Sequence, residues 1–466
     1  MKTTIFKTRL WSLGFVGLLS ASIFFASCSR EEPLDDVKVK ESSNNEQVAV
    51  PGPGGPIMMQ AFYWDVPAGG NWWNTVKSKI PAWSAAGITS IWLPPANKCM
   101  NGAYSMGYDP TDYYDFGQYN QNGSVETRFG SLSELQSLIS TAKSNKVQVI
   151  ADIVINHNSG GQSEYNPFTG GNTWTKFQPA SGKFPRSYLD FHPNEVRASD
   201  EGTFGGFPDL SHVKAYVSTN LYSGTDCVAK YYKNTLGFDG WRFDYVKGFG
   251  AWVVRDWVNM NGGFAVGELW DGNAANLKAW VDATNRTASA FDFAAYYAMN
   301  DAFNGNDLNN LNRDMLWKRD PFKAVTFVSN HDTDIMGNGK MLAYAYILTH
   351  EGYPCIFYQD YETWLDKNRL NNLMWIRKNY ATGTTTNLWT DNDEYIARRN
   401  GANGNPGLIV YINNANFWQE RWIQTNWANR RIKDYTGGSN WTPTTQGDRW
   451  VKIQVPPKSY TIWSVY

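Results

Sequence analysis

The sequence predicts an α/β fold: a (β/α)8 TIM barrel with a small insertion domain after strand 3 and a C-terminal all-β domain. Three observations carry that prediction. Short apolar runs alternate with helix-like stretches from residue 57 to about residue 380. One run, Val147–Ile155, is almost continuously apolar, the pattern of a parallel strand buried on both faces. After about residue 382 the alternation gives way to short strands separated by turns.

Taken in order, residues 1–28 read as an export signal. Lys2, Lys7 and Arg9 precede the apolar run Trp11–Phe25, which ends in Ala26-Ser27-Cys28. That ending resembles a bacterial lipoprotein box, in which Cys28 becomes the lipidated first residue. The chain is therefore expected to be exported and lipid-anchored to the cell envelope of a bacterium, touching membrane through Cys28 only. Residues 29–56 are polar and end in Pro51-Gly52-Pro53-Gly54-Gly55-Pro56, a tether that cannot pack.

Eight barrel strands are predicted within 57–156 and 221–382: Ile57–Phe62, Ile88–Leu93, Val147–Ile155, Gly240–Asp244, Phe264–Glu268, Ala290–Phe293, Ala324–Asn330 and Cys355–Tyr358. Between the second and third, Ser131 and Glu134 form a capping box ahead of Leu132, Leu135, Leu138, Ile139 and Ala142 on one helical face. Residues 157–220, rich in Gly, Asn and aromatics, form the insertion domain. Residues 383–466 form a sandwich-like domain with strands at Glu394–Arg398, Leu408–Tyr411, Trp450–Val455 and Tyr460–Val465.

Composition bounds the chemistry. The 466 residues hold 42 Lys plus Arg against 43 Asp plus Glu, so no basic excess is available to follow a nucleic-acid backbone. A high aromatic content (22 Trp, 26 Tyr, 24 Phe) suits stacking on flat, uncharged ligands such as sugar rings, and equally suits a large core. Four scattered cysteines make no disulfide scaffold, and five histidines without an H-x-H or H-E-x-x-H pair disfavour a zinc hydrolase. A monomer is expected.

In a barrel of this kind reactive groups sit where the strands end. Strand alternation puts Arg242 and Asp244 on the barrel interior and turns Trp241 and Phe243 to the helices. A guanidinium beside a carboxylate favours its ionised form. The next strand ends on Glu268, and a third runs into His331-Asp332. Asp152 lies inside an apolar run that finishes in Asn156-His157, so it needs a partner or a task. Either acid alone would equally well be a helix cap or a surface group; four polar strand ends aimed at one mouth are harder to attribute to chance.

Four segments carry a resemblance: Asp152-Ile-Val-Ile-Asn156-His157, Gly240-Trp-Arg242-Phe-Asp244-Tyr-Val-Lys247, Gly267-Glu268-Leu-Trp and Val328-Ser-Asn330-His331-Asp332. In order and spacing they resemble the signature regions of glycoside hydrolase family 13, the α-amylases. Gln60-Ala-Phe-Tyr-Trp-Asp65, Gly202-Thr-Phe-Gly-Gly-Phe-Pro-Asp209 and Asn330-His-Asp-Thr-Asp334 are most similar to the archaeal and plant-type branch. The resemblance implies a retaining, endo-acting hydrolase of internal α-1,4-glucosidic bonds in starch, glycogen and maltooligosaccharides, working through a covalent glycosyl-enzyme intermediate.

Residue by residue, the resemblance implies Asp244 as nucleophile, Glu268 as general acid/base and Asp332 as the acid that steadies the transition state. It implies Arg242, His157, His331, Tyr108 and Lys247 as groups around the sugar, with Gly248 where relatives often carry His. It also implies Ca2+ as cofactor, held by Asn156, Asp200 and Asp209 with the carbonyls of Gly202 and Gly248, all hard oxygen donors. Archaeal relatives can hold a second metal here. His192 matches one of its positions, but Arg197 and Leu210 occupy others, so no zinc is expected; Ala198 and Ser199 likewise replace that branch's cysteines. Two other readings stay open: transfer of the glycosyl unit to another sugar, and a non-catalytic starch-binding protein. Trp72-Trp73 is a candidate surface binding patch or, alternatively, core.

Overall fold

The computed structural model describes residues 55–333, 337 and 339–466. The expected export signal, Cys28, most of the tether and Asp334 lie outside the described residues. Eight parallel strands close into a barrel in the order of the chain. They are β1 (Met58–Gln60), β2 (Ser90–Trp92), β3 (Gln148–Ile153), β4 (Gly240–Phe243), β5 (Phe264–Gly267), β6 (Ser289–Phe291), β7 (Ala324–Phe327) and β8 (Tyr353–Phe357). All but β8 are shorter than the apolar run that predicted them. Most of those runs continue past the end of the strand into the mouth, where Asp244 and Glu268 stand one residue beyond their strands.

The side-chain alternation behaves as the pleat requires. Trp241 and Phe243 pack edge-on against Trp257 of the helix Ala251–Asn261, while Arg242 points inward and is buried. The helix Leu132–Ser144 carries the expected capping box, Ser131 and Glu134 each satisfying the other's backbone N–H. Its buried face is Leu135, Leu138, Ile139 and Ala142.

Between β3 and β4 the chain forms a hairpin of Gln162–Asn166 and Gly171–Lys176 and then returns to the mouth. The return is stitched by Asn158 N–H to Pro208 O (3.0 Å) and Leu210 N–H to Asn156 O (2.9 Å). After the barrel come seven strands rather than the four the sequence predicts. A five-stranded sheet is built from β9 (Thr385–Thr390), β10 (Glu394–Arg399), β11 (Leu408–Asn413), β13 (Ile432–Asp434) and β15 (Ser459–Val465). A two-stranded sheet pairs β12 (Gln419–Gln424) with β14 (Trp450–Val455). The missed strands β9, β12 and β13 are short or polar on alternate positions, so their apolar signal is thin. Trp72 and Trp73 are buried and pack in the core, which rules them out as a surface patch.

Candidate active site

Register sets the site. Asp152 of β3 lies level with Arg242 of β4, and Phe243 lies level with Gly267 of β5. The ladder continues one step further, through Asp244 N–H to Ile153 O (3.0 Å) and Glu268 N–H to Phe243 O (2.9 Å), so Asp244 and Glu268 emerge side by side. Gly267 is needed just before the acid: a Cβ there would meet the Trp280 ring at 2.2 Å.

Arg242 organises the cluster. Its Nη1 donates to Asp152 Oδ1 and to Asp244 Oδ1, both at 2.8 Å, and its Nη2 lies 3.0 Å from Glu268 Oε1. Asp152 thus has its partner, and Trp92 Nε1 (3.0 Å) and Tyr108 Oη (2.8 Å) also donate to it. Glu268 Oε2 accepts from the backbone N–H of Tyr245 at 3.0 Å. Tyr245 takes a left-handed conformation (φ 46°, ψ 48°), a strain that aims this N–H at the acid.

Three carboxylates share one guanidinium, and all three are buried; Asp244 and Glu268 are 9% and 8% exposed. Burial raises Glu268 to about 7, the nearby Asp244 charge adding to the effect and Arg242 opposing it. Burial also raises Asp244, to about 6, against the pull of Arg242. The expectation that Arg242 favours a charged Asp244 therefore needs a correction: the guanidinium limits the rise caused by burial rather than lowering the group below its ordinary range. The order survives, since Glu268 holds its proton to higher pH than Asp244.

Asp332 stands on the loop after β7, where Asn330 Oδ1 accepts from the N–H groups of Asp332 and Thr333 (2.9 and 2.8 Å) and fixes the turn. Its carboxyl is raised to about 6 by burial and by the charge of Glu268. His331 Nε2 lies 3.1 Å from Asp332 Oδ2, and His331 Nδ1 lies 2.9 Å from the side-chain amide of Gln60. Burial holds His331 neutral, so its single proton belongs on Nε2, facing the carboxylate, and Gln60 must donate to Nδ1.

Tyr108 stacks on His331 (5.2 Å, 13° between planes), and the exposed Trp64 lies nearly parallel to both. Lys247 is exposed, with its ammonium over the Tyr245 ring. His157 is the exception. Its ring is fully buried, bonded through Nε2 to Tyr108 O (3.0 Å) and covered by Phe204 and Phe207 (4.9 and 5.3 Å). A sugar would reach it only after those two rings move.

A second cluster forms where the insertion rejoins the barrel. Ligand atoms of His192, Asp200 and Asp209 lie within 4.8 Å of one another. Both carboxylate oxygens of Asp209, Oδ1 of Asp200 and both amide atoms of Asn156 are buried without a hydrogen-bond partner. Gly248 meets Asn156 closely: a Cβ there would fall 2.0 Å from Asn156 Oδ1, and a Cβ on Gly202 would lie 3.9 Å from Gly248 Cα and Lys247 O. Burial and the charge of Asp200 push the Asp209 carboxyl up to about 8. Orphaned oxygens that repel one another fit a hard divalent cation such as calcium, whose preferred donors are carboxylate and carbonyl oxygens. His192 joins this cluster through Asp200 (3.5 Å), a neighbour the calcium reading did not include.

The sequence reading left three residues of this site without a role. Gln60 and Trp92 are strand residues whose polar atoms give no periodic signal. Tyr245 meets Glu268 through its backbone N–H, which no side-chain pattern reveals. Among the described residues Cys99, Cys227 and Cys355 are free and buried.

Comparison with known proteins agrees with this geometry. The α-amylase catalytic-domain family matches residues 41–255, and the α-amylase C-terminal family matches residues 408–464. The chain is 30% identical to a glucan 1,4-α-maltohexaosidase of Bacillus sp. (strain 707), covering 98% of this chain and 99% of that protein. It is also 30% identical to an α-amylase of Geobacillus stearothermophilus, covering 87% and 86%. The solved α-amylase of Geobacillus thermoleovorans in complex with acarbose shares the fold (TM-score 0.68, 17% identity, 89% of this chain and 99% of that one). A continuous match over nearly the whole length, on a barrel whose acids meet at one mouth, shows that the chain belongs to the α-amylase family of glycoside hydrolases.

Proposed function

We propose that the protein is an endo-acting, retaining α-amylase of the archaeal and plant-type branch, exported and lipid-anchored at the bacterial cell envelope through Cys28. The observation that carries the catalytic reading is the shared guanidinium: Arg242 holds Asp244 and Glu268 on two of its nitrogens. In the proposed first step Asp244 attacks the anomeric carbon while Glu268 gives its proton to the departing glycosidic oxygen. The resulting ester is then opened by water that Glu268, now a base, deprotonates, and the configuration is retained. Asp332, with its His331 neighbour, faces the positive charge that grows on the ring in both transition states. Tyr108 supplies a stacking face beneath the reacting glucose, and Lys247 reaches the adjacent sugar.

The two pKa values define the working window. Turnover needs Asp244 charged and Glu268 protonated, so kcat/KM falls below about 6 as Asp244 takes up a proton and falls above about 7 as Glu268 loses one. Calcium would be held by Asn156, Asp200, Asp209 and the carbonyls of Gly202 and Gly248. Its chemistry there is structural, the neutralisation of oxygens that join the insertion to the end of β3.

The branch assignment is supported by the Gln60–Asp65 segment and by Gly248, and the anchor by the pattern of residues 1–28. The test is to size the products from soluble starch. Rapid loss of long chains, with short products in the α-configuration, is expected. Release of one small sugar from chain ends overturns the endo reading, and products longer than the donor in excess maltose overturn hydrolysis in favour of transfer. Cys28→Ala should shift activity from the membrane fraction to the soluble fraction; activity that is soluble in both forms overturns the anchor.

A further inference from the structure

Tryptophan is usually buried, yet the two-stranded sheet of the terminal domain presents two on one face, and a third stands exposed one residue before it. In β12 the residues facing the small core are Arg421 and Ile423, and from β14 they are Val451, Ile453 and Val455. The opposite face carries Glu420, Trp422 and Gln424, paired in register with Gln454, Lys452 and Trp450. Trp418, one residue before β12, is exposed beside this sheet. Trp418, Trp422 and Trp450 are 53%, 52% and 40% exposed.

We propose that this face is a second glucan-binding surface, on which the three indole rings stack against consecutive sugars of an α-glucan chain. Trp418 precedes Trp422 by four residues, a separation of at most about 13 Å. Trp422 and Trp450 are diagonal neighbours, about 7–8 Å apart. The rings therefore span several sugars rather than one. Gln424, opposite Trp450, and Gln454, opposite Glu420, share the face and offer amide donors and acceptors to hydroxyl groups; Gln454 Nε2 already holds Ser439 Oγ at 2.8 Å, which steadies its side chain. The two charges on the face, Glu420 and Lys452, form an ion pair with each other. The surface is thus neutral overall, which suits an uncharged polymer and not a nucleic acid or an anionic membrane. None of its residues belongs to the barrel mouth, so it would hold a long chain without occupying the cleft.

This inference rests on the α-glucan reading of the mouth, and its test separates the two. Trp418→Ala/Trp422→Ala/Trp450→Ala is compared with the parent for adsorption to insoluble starch, in a Glu268→Gln background so that nothing is digested. The same triple replacement in the active enzyme is assayed on a soluble maltooligosaccharide, and melting temperature reports folding. About tenfold weaker adsorption is expected, with melting temperature and soluble-substrate kcat/KM held. The single Trp422→Ala variant should show a smaller loss of the same kind. Unchanged adsorption, or an equal loss of kcat/KM, overturns the proposal. So does a concentration-dependent dimer of the parent that the triple variant abolishes, since the face would then be a contact between copies. An active-site failure shows itself separately, as no cleavage of the soluble substrate by either form.

Discussion

At the barrel mouth Asp152, Asp244 and Glu268 surround Arg242, while at the foot of the insertion Asp200 and Asp209 are grouped with His192 and have no Arg or Lys ion pair among the described residues. Both clusters bury carboxylates at the end of β3, but they neutralise them differently. The mouth carries its cation in the chain, so its acids keep graded affinities for protons, about 6 for Asp244 and about 7 for Glu268. The insertion cluster has only His192 beside Asp200, and both oxygens of Asp209 and Oδ1 of Asp200 are left without hydrogen-bond partners. An internal guanidinium leaves acids free to exchange protons; an external ion, as proposed for the insertion cluster, would tie them up and serve structure. The comparison teaches that the same residue type, at nearly the same place in the fold, is set to chemistry or to architecture by where its counter-charge comes from.

The largest effect should come from breaking the mouth at its proposed proton donor, Glu268. Glu268→Gln keeps the size and the hydrogen bond to Tyr245 but removes the transferable proton, and kcat should fall about 1,000-fold or more. Melting temperature should hold or rise, because one of three carboxylates competing for Arg242 is gone. A variant that keeps parental kcat would show that the acid is structural and would erase the contrast with the insertion.

The second effect acts on the other cluster. A chelator should lower melting temperature by several degrees, and calcium should restore it. With the ion at about a hundred times its Kd the linkage contributes about 2.7 kcal/mol. Asp209→Asn should weaken that restoration while leaving the pH window of the mouth in place. An unchanged melting temperature would show that these buried oxygens are satisfied in some other way, and the two clusters would no longer differ as argued.

What the sequence made legible follows from periodicity. Val147–Ile155 has the pattern of a strand buried on both faces, and an acid in the middle of it, Asp152, needs a partner or a task; the strand forms and Arg242 is the partner. Arg242 and Asp244 were placed on one face by the pleat alone. The rest depended on contacts that have no period. Gln60 sits at the end of a strand among apolar neighbours, and nothing local shows that its amide meets a histidine 271 residues later. The cover of Phe204 and Phe207 over His157 belongs to a loop, where neither strand nor helix spacing applies. In the terminal domain β12 reads Gln-Glu-Arg-Trp-Ile-Gln, too polar to register as a strand, because one of its faces looks outward.

The smallest effect should come from Gln60, whose one side-chain hydrogen bond among the described residues is to His331 and not to any of the three acids. Its Nε2–H bond to His331 Nδ1 leaves the single ring proton on Nε2, where it meets Asp332. Gln60→Leu removes that bias and orphans Nδ1 in a buried site, at a cost of about 1 kcal/mol and hence a loss of kcat of roughly tenfold or less. KM and melting temperature should change little. Gln60→Glu is the sharper variant, because it keeps the shape and reverses the polarity. The ionised carboxylate it introduces would accept from Nδ1–H and turn the Nε2 lone pair toward the Asp332 carboxylate, unless the ring gains a second proton. That protonation pairs His331 with two acids and is favoured as pH falls, so Gln60→Glu should be less active than Gln60→Leu at neutral pH and should recover toward acid. If the two variants behaved alike across pH, Gln60 would matter only as filling at the base of the mouth, and the internal cation of Arg242 would be the sole electrostatic device that distinguishes this cluster from its neighbour.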